Sequence, residues 1–294
     1  RFFLAGAIGI GPMRNGSEPF ALPFGGVDNT VHQPKQLFYV TYANHLAGHT
    51  ITLYNHIMKT FEKVYADKTV IDLYDRIKQK EKTSAFAYAA HDLTHVNRVI
   101  KNCEDVAKLL KIDGKKINEI KVAALLHDIG CAFGDKHGHA ERSYIWAKEY
   151  LNNTNDKDTD DDKATDDNKN TKDKDTDDYA KDEILKAIRE HSGLGSGVYG
   201  KILAFADKID VCLDRLLPAG LLIDNCKEYA HLLSYIVEIE DGKLVVKYTS
   251  DGNLNYESMK DYYFTKKLFD TIADLANYFN LGFAVIIDGK PCEY

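Results

Sequence analysis

The stretch Lys121–Gly130, KVAALLHDIG, constrains this chain more than any other. Five apolar residues, Val122 to Leu126, run without a break into His127 and Asp128. An unbroken apolar run belongs to a buried element, and Gly130 suits the left-handed stop that ends a helix. The stretch therefore reads as a buried helix that delivers an imidazole and a carboxylate at its end. Burying such a pair is costly unless something ties it up, and a divalent cation does so. Adjacent helical residues point about 100° apart, so one cation against the helix flank can be held by both, given further ligands from other elements.

Those further ligands are present along the chain. Upstream lies His91-Asp92-Leu93-Thr94-His95-Val96-Asn97-Arg98-Val99. Downstream come His137-Gly138-His139 with Ser143, then Arg189-Glu190-His191-Ser192-Gly193, then Ala206-Asp207-Lys208-Ile209-Asp210. The order H…HD…H…H…D, with HxxRV at the first histidine, ALLHDIG at the pair and ADKID at the last aspartate, resembles the HD superfamily of metal-dependent phosphohydrolases. The resemblance covers roughly Ser84 to Leu217. Around AI-x-x-H and the ADKI segment the sequence is also similar to HD-type diadenosine tetraphosphate hydrolases, although that fit is short.

The resemblance implies that His95, His127, Asp128 and Asp207 ligate one divalent cation. Two neutral imidazoles and two carboxylates neutralise a 2+ ion and leave positions for water and phosphate oxygen. His91 competes with His95 for the first place; the HxxRV pattern favours His95 and leaves His91 and Asp92 at the rim. His139, favoured over His137 by GHAERS, and His191 either hold a second cation or contact substrate phosphate. The implied chemistry is hydrolysis of a nucleotide or other small phosphate ester or anhydride by metal-activated water. Asp128, Arg98 and Lys208 are the catalytic candidates, the two cations countering charge on the phosphoryl oxygens; a salt bridge is the plainer role for Lys208. The rivals are a cyclic-nucleotide phosphodiesterase and a non-catalytic module that binds a nucleotide as a sensor. SGLGSG after His191 lacks the GYP expected of the cyclic-di-GMP branch, and a pure sensor has no need of the full ligand set.

Charge narrows the partners. The net charge is −7, but residues 152–178 alone contain 11 Asp and 5 Lys, and the remainder has 34 acids against 33 bases. A nearly neutral body is not a nucleic-acid-coating surface. Five scattered cysteines without a CxxC read as reduced and intracellular, which places the chain in the cytoplasm. Phe2 to Ile10 is apolar but too short to span a bilayer, and no later stretch is long enough.

The expected architecture is mainly α, an HD-type helical core with an irregular N-terminal extension and a small C-terminal α+β appendage. Residues 1–80 form the extension, Gly/Pro-rich loop with one short strand and then helix. His45, His49 and His56 share a helical face there but lack the carboxylate of a metal site. Residues 81–217 form the core, with helices over 84–111, 117–129, 139–151, up to His191, and 199–217. The low-complexity run 152–178 reads as a disordered surface insertion; its Asp156, Asp158 and Asp160 lack the glycine and glutamate of a calcium loop. Residues 218–294 form the appendage. There Asp241-Gly242 between β-rich runs signals a hairpin, followed by a helix over 256–279 and a strand over 283–287.

Overall fold

In a computed structural model of the chain, residues 61–153 and 171–294 are described, with side chains for 61–152 and 179–294 apart from Leu213. All of them fall in the unit His45–Tyr294. The expected N-terminal strand and the His45, His49, His56 face lie outside the described residues.

The first three core helices have legible starts. Helix α1 (Lys68–Lys82) is capped by the Asp67 carboxylate, which accepts from the Thr69 amide, and buries Val70, Tyr74 and Ile77 at helical spacing. Asp92 caps α2 (Leu93–Leu109) by accepting from the amides of Thr94 and His95. A capping aspartate satisfies otherwise free amides and suits the positive end of the helix. Helix α2 ends where Lys111 takes a left-handed φ of 58° and the Ile112 amide returns to the Ala107 carbonyl at 2.9 Å. Asp113 belongs to the next helix as the cap of α3 (Gly114–Leu126).

Helix α3 is buried on every side from Val122 to Leu126, as its unbroken apolar run requires. Helix α6 (Gly197–Lys208) is its counterpart, with Ile202 through Ala206 all at 0 % exposure. Burying each large aliphatic here contributes about 1.5–3 kcal/mol. Helices α2 and α5 (Thr171–Glu190) pack against this pair, and α4 (His139–Asn153) packs on α5.

The C-terminal part is a four-stranded sheet in the order β1 (Leu232–Glu240), β2 (Lys243–Ser250), β3 (Gly282–Ile287), β4 (Lys290–Cys292). The hairpin turns at Asp241-Gly242, both at positive φ, with Glu240 paired to Lys243. Strand β3 lies parallel to β2, and the connection runs through α7 (Tyr263–Tyr278). The sheet shares the helical core: Leu244, Val246 and Val285 join the same cluster as Leu203 and Leu268. Tyr248 donates from its hydroxyl to the Ile209 carbonyl at 3.2 Å, tying the sheet to the end of α6.

Several boundaries differ from expectation for physical reasons. Gly130 is not left-handed; a Cβ there would stand 2.2 Å from the His139 carbonyl oxygen and 2.6 Å from the Ser143 nitrogen. It is glycine because the start of α4 passes against it. Helix α6 stops at Lys208 rather than running to Leu217, because the buried Arg215 donates from Nη1 to the Asp210 carbonyl at 3.0 Å. The expected 256–279 helix divides into Tyr256–Lys260 and α7, with Tyr262 extended between them. The acidic insertion is shorter than 152–178, since α4 reaches Asn153 and α5 begins at Thr171. Residues 154–170 lie outside the described residues.

Candidate metal centre

Three histidines are fixed in the same way, each by the backbone carbonyl three residues before it. A helix end leaves backbone carbonyls without partners. His127, one residue past α3, donates from Nδ1 to the Ala124 carbonyl at 2.7 Å. His191, one residue past α5, does the same to Ile188 at 2.7 Å. His139, the first residue of α4, donates to the Lys136 carbonyl at 2.7 Å. With the proton fixed on Nδ1, each ring presents the lone pair of Nε2 to the interior. The fourth, His95 on α2, donates from Nδ1 to Asp210 Oδ2 at 2.6 Å.

These four Nε2 atoms meet around Asp128. Asp128 Oδ2 is 3.1 Å from His127 Nε2 and 3.5 Å from His95 Nε2. The other oxygen, Oδ1, is 3.1 Å from His139 Nε2 and 3.5 Å from His191 Nε2. Asp207 Oδ1 closes the first group, 3.2 Å from His95 Nε2 and 3.9 Å from His127 Nε2. Bonds of about 2.1 Å place neighbouring ligands of one ion about 3 Å apart and opposite ones about 4.2 Å apart. The four distances given among His95, His127, Asp128 and Asp207 fall in that range, with all four residues buried.

Polar atoms left without partners provide an independent test of fit. Among the described residues, His95 Nε2, His127 Nε2 and Asp128 Oδ2 are buried with no hydrogen-bond partner. Such atoms each cost on the order of 1–3 kcal/mol, and a cation at their common focus removes the cost. The donor set, two imidazoles and two carboxylates, suits a divalent transition metal or magnesium.

Surrounding charges keep the carboxylates ionised. Burial opposes ionisation of Asp128, but the imidazoles packed around it, His127 foremost, hold its pKa well below the ordinary range. Burial is likewise outweighed at Asp207 by Lys208, His95 and Arg215. At His95, burial and Arg215 favour the neutral ring, yet the neighbouring carboxylates of Asp128, Asp207 and Asp210 raise its pKa to about 9. Burial lowers that of His191 to about 4.

The structure thus brings together His95, His127, Asp128, Asp207, His139 and His191. Arg98 and Lys208, the two candidate phosphate-facing cations, both pair with carboxylates. Arg98 donates from Nε to Asp210 Oδ1 and from Nη1 to Asp214 Oδ2, both at 2.7 Å. Lys208 donates to Asp207 Oδ2 at 2.7 Å and to the His191 carbonyl at 3.1 Å.

Glu81 and Arg215 carried no signal in the sequence. Glu81 accepts from the His91 backbone amide at 3.0 Å and from its Nδ1 at 2.7 Å. This leaves His91 Nε2 buried without a partner. Its ring centroid is 6.1 Å from that of His95 and 6.3 Å from that of His139. Arg215 reaches Asp210 Oδ2 at 3.3 Å and Asp207 Oδ1 at 3.6 Å. The segments carrying both are joined, as the Ala90 amide donates to the Arg215 carbonyl at 2.8 Å and the Leu217 amide to Tyr88 at 3.0 Å. Partners this distant in sequence leave no local pattern.

Residues 92–212 match the family model described as HD domain. Among solved structures, the chain resembles a predicted HD superfamily hydrolase from an uncultured Thermotogales bacterium at 25% identity, covering 48% of this chain and 67% of that one, with a TM-score of 0.32. No curated protein matches the chain. No described helix is long and apolar enough to cross a membrane. The residues that match the HD domain are those that carry His95, His127, Asp128, His139, His191, Asp207 and Asp210.

Proposed function

We propose that the chain is a metal-dependent phosphohydrolase acting on a nucleotide or other small phosphate ester or anhydride, with a two-cation centre. The observation that carries this reading is the position of Asp128, whose two oxygens each face a separate pair of histidine Nε2 atoms. His95, His127, Asp128 Oδ2 and Asp207 would hold one ion; Asp128 Oδ1, His139 and His191 would hold the other. When bound, such ions polarise phosphoryl oxygens and make water nucleophilic at neutral pH.

The protein's part is to fix and support the ligands. Asp210 holds the His95 ring by its Nδ1, and Arg98 and Arg215 hold Asp210. Lys208 orients Asp207 through its second oxygen. Partners of this kind fix ring orientation and raise ligand basicity. In this arrangement Arg98 and Lys208 act through Asp210 and Asp207. His91, fixed by Glu81, offers a buried acceptor beside both halves of the centre, suited to a water or a substrate hydroxyl.

A panel of nucleotides, sugar phosphates and dinucleoside polyphosphates, assayed for phosphate release with Mn²⁺, Mg²⁺, Co²⁺ and Ni²⁺, tests the reading. Release should require metal and vanish in His127→Ala and Asp128→Ala. Metal-independent release, or full activity in either variant, would contradict it.

A further inference from the structure

Beside the six clustered histidines and aspartates stands a thiol that neither composition nor motif singles out. Cys131 follows Asp128 by three residues in the short 3₁₀ helix Ile129–Phe133, and its amide donates to the Asp128 carbonyl at 2.9 Å. In a 3₁₀ turn the side chains at i and i+3 eclipse one another. The Cys131 sulfur is therefore stacked on the same edge as the Asp128 carboxylate.

The geometry points to Cys131 as a thiolate ligand of the ion on the His139 side of Asp128, and so to a thiophilic divalent cation there. This rests on the metal-centre reading above. Cys131 Sγ, an Asp128 oxygen and a His139 nitrogen all lie within 4.8 Å of one another. Opposite ligands of one ion, with bonds of about 2.1 Å to nitrogen or oxygen and about 2.3 Å to sulfur, are about 4.4 Å apart. The three residues are 6 %, 1 % and 8 % exposed respectively, so solvent does not compete for the position.

A second observation suits a cation there. His139 Nε2 and His191 Nε2 face each other at 2.9 Å, while each ring spends its Nδ1 proton on a carbonyl. Two lone pairs at that distance repel unless a proton or a metal ion takes them up.

Cys131 is also held in place. Lys80 donates to its carbonyl at 2.9 Å, and Arg142 donates from Nε to the Gly130 carbonyl at 3.0 Å and from Nη1 to that of His137 at 2.9 Å. With Cys131 the His139 side becomes a nitrogen, oxygen and sulfur set. Sulfur favours zinc and its soft relatives, whereas the His95 side, with nitrogen and oxygen alone, also suits magnesium or manganese. As the sulfur–metal bond forms, the thiol proton passes to solvent.

The test is a titration of the full-length, metal-free protein with Co²⁺, followed by absorption. Two equivalents should bind, and the one filling the His139 side should bring a near-ultraviolet sulfur-to-cobalt charge-transfer band. Cys131→Ser should abolish the band and weaken Cd²⁺ binding at that position about 10–100-fold, with Mn²⁺ binding little changed. Cys292→Ser should leave the band intact. Two bound cobalt ions without the band, or a band that survives in Cys131→Ser, would overturn the proposal and leave the two-cation reading standing. Failure to bind cobalt at all would overturn both. If Cys131→Ser does not fold, X-ray absorption of the zinc-loaded wild type decides, since one sulfur at about 2.3 Å is required.

Discussion

His139 and His191 point their Nε2 atoms at one another across 2.9 Å, from helices that meet only in three dimensions. His139 opens α4 and His191 follows the end of α5, and both lie beside Asp128 Oδ1. His95 and His127 repeat the arrangement at Oδ2. One carboxylate thus faces two histidine pairs, and the account of function depends on that geometry.

Asp210 should matter to metal affinity although it faces away from the cation positions. Its Oδ2 accepts from His95 Nδ1 and its Oδ1 from Arg98. Asp210→Asn should reduce affinity for the His95-side ion about 10–100-fold while the helical circular dichroism is retained. Equilibrium dialysis against Mn²⁺ measures this, and unchanged affinity would remove Asp210 from the supporting network.

Gly130→Ala should cost stability and disturb the His139 side selectively. The added carbon would meet backbone atoms of His139 and Ser143, which cannot swing aside as a flexible side chain does. Overpacking of this kind costs about 1–3 kcal/mol or more. Chemical denaturation should show that loss, and metal analysis should show the second ion lost before the first. A variant with wild-type stability and two tight ions would mean that the approach of α4 to Gly130 is looser than described.

The helical core and the histidines gathered around Asp128 were largely legible in the sequence; their supports were not. The apolar run into His127-Asp128 fixes a buried helix, and His95 and Asp207 sit in motifs that place them. The hairpin at Asp241-Gly242 was readable because its turn chemistry is local. Glu81, Arg215 and Cys131 were not readable as site residues, since each acts through a tertiary contact or a 3₁₀ turn. Which carboxylates Arg98 and Lys208 reach, Asp210 and Asp207, was not legible, because a sequence does not reveal the partner of a long side chain. The continuation of α6 to Leu217 failed for a related reason: the buried Arg215 draws the chain out of the helix at Asp210.

Glu81 gives the metal-free protein a distinctive pH dependence. Burial, the main influence, raises its pKa from 4.5 to about 7. A carboxyl that is harder to ionise when folded supports stability below pH 4.5 and loses that support as pH rises through 7. Glu81→Gln has no such loss, so its melting temperature should gain on the wild type between pH 4.5 and 7.5. A difference that stays constant across that window would contradict the buried, partly protonated Glu81.

The central claim is a pair of cations sharing Asp128, and anomalous scattering from crystals grown with excess Mn²⁺ or Co²⁺ at neutral pH tests it most directly. The account predicts two peaks about 3.5–4 Å apart, one among His95, His127, Asp128 and Asp207, the other against His139 and His191. A single peak on the His95 side, with His139 and His191 still facing each other unbridged, would contradict it.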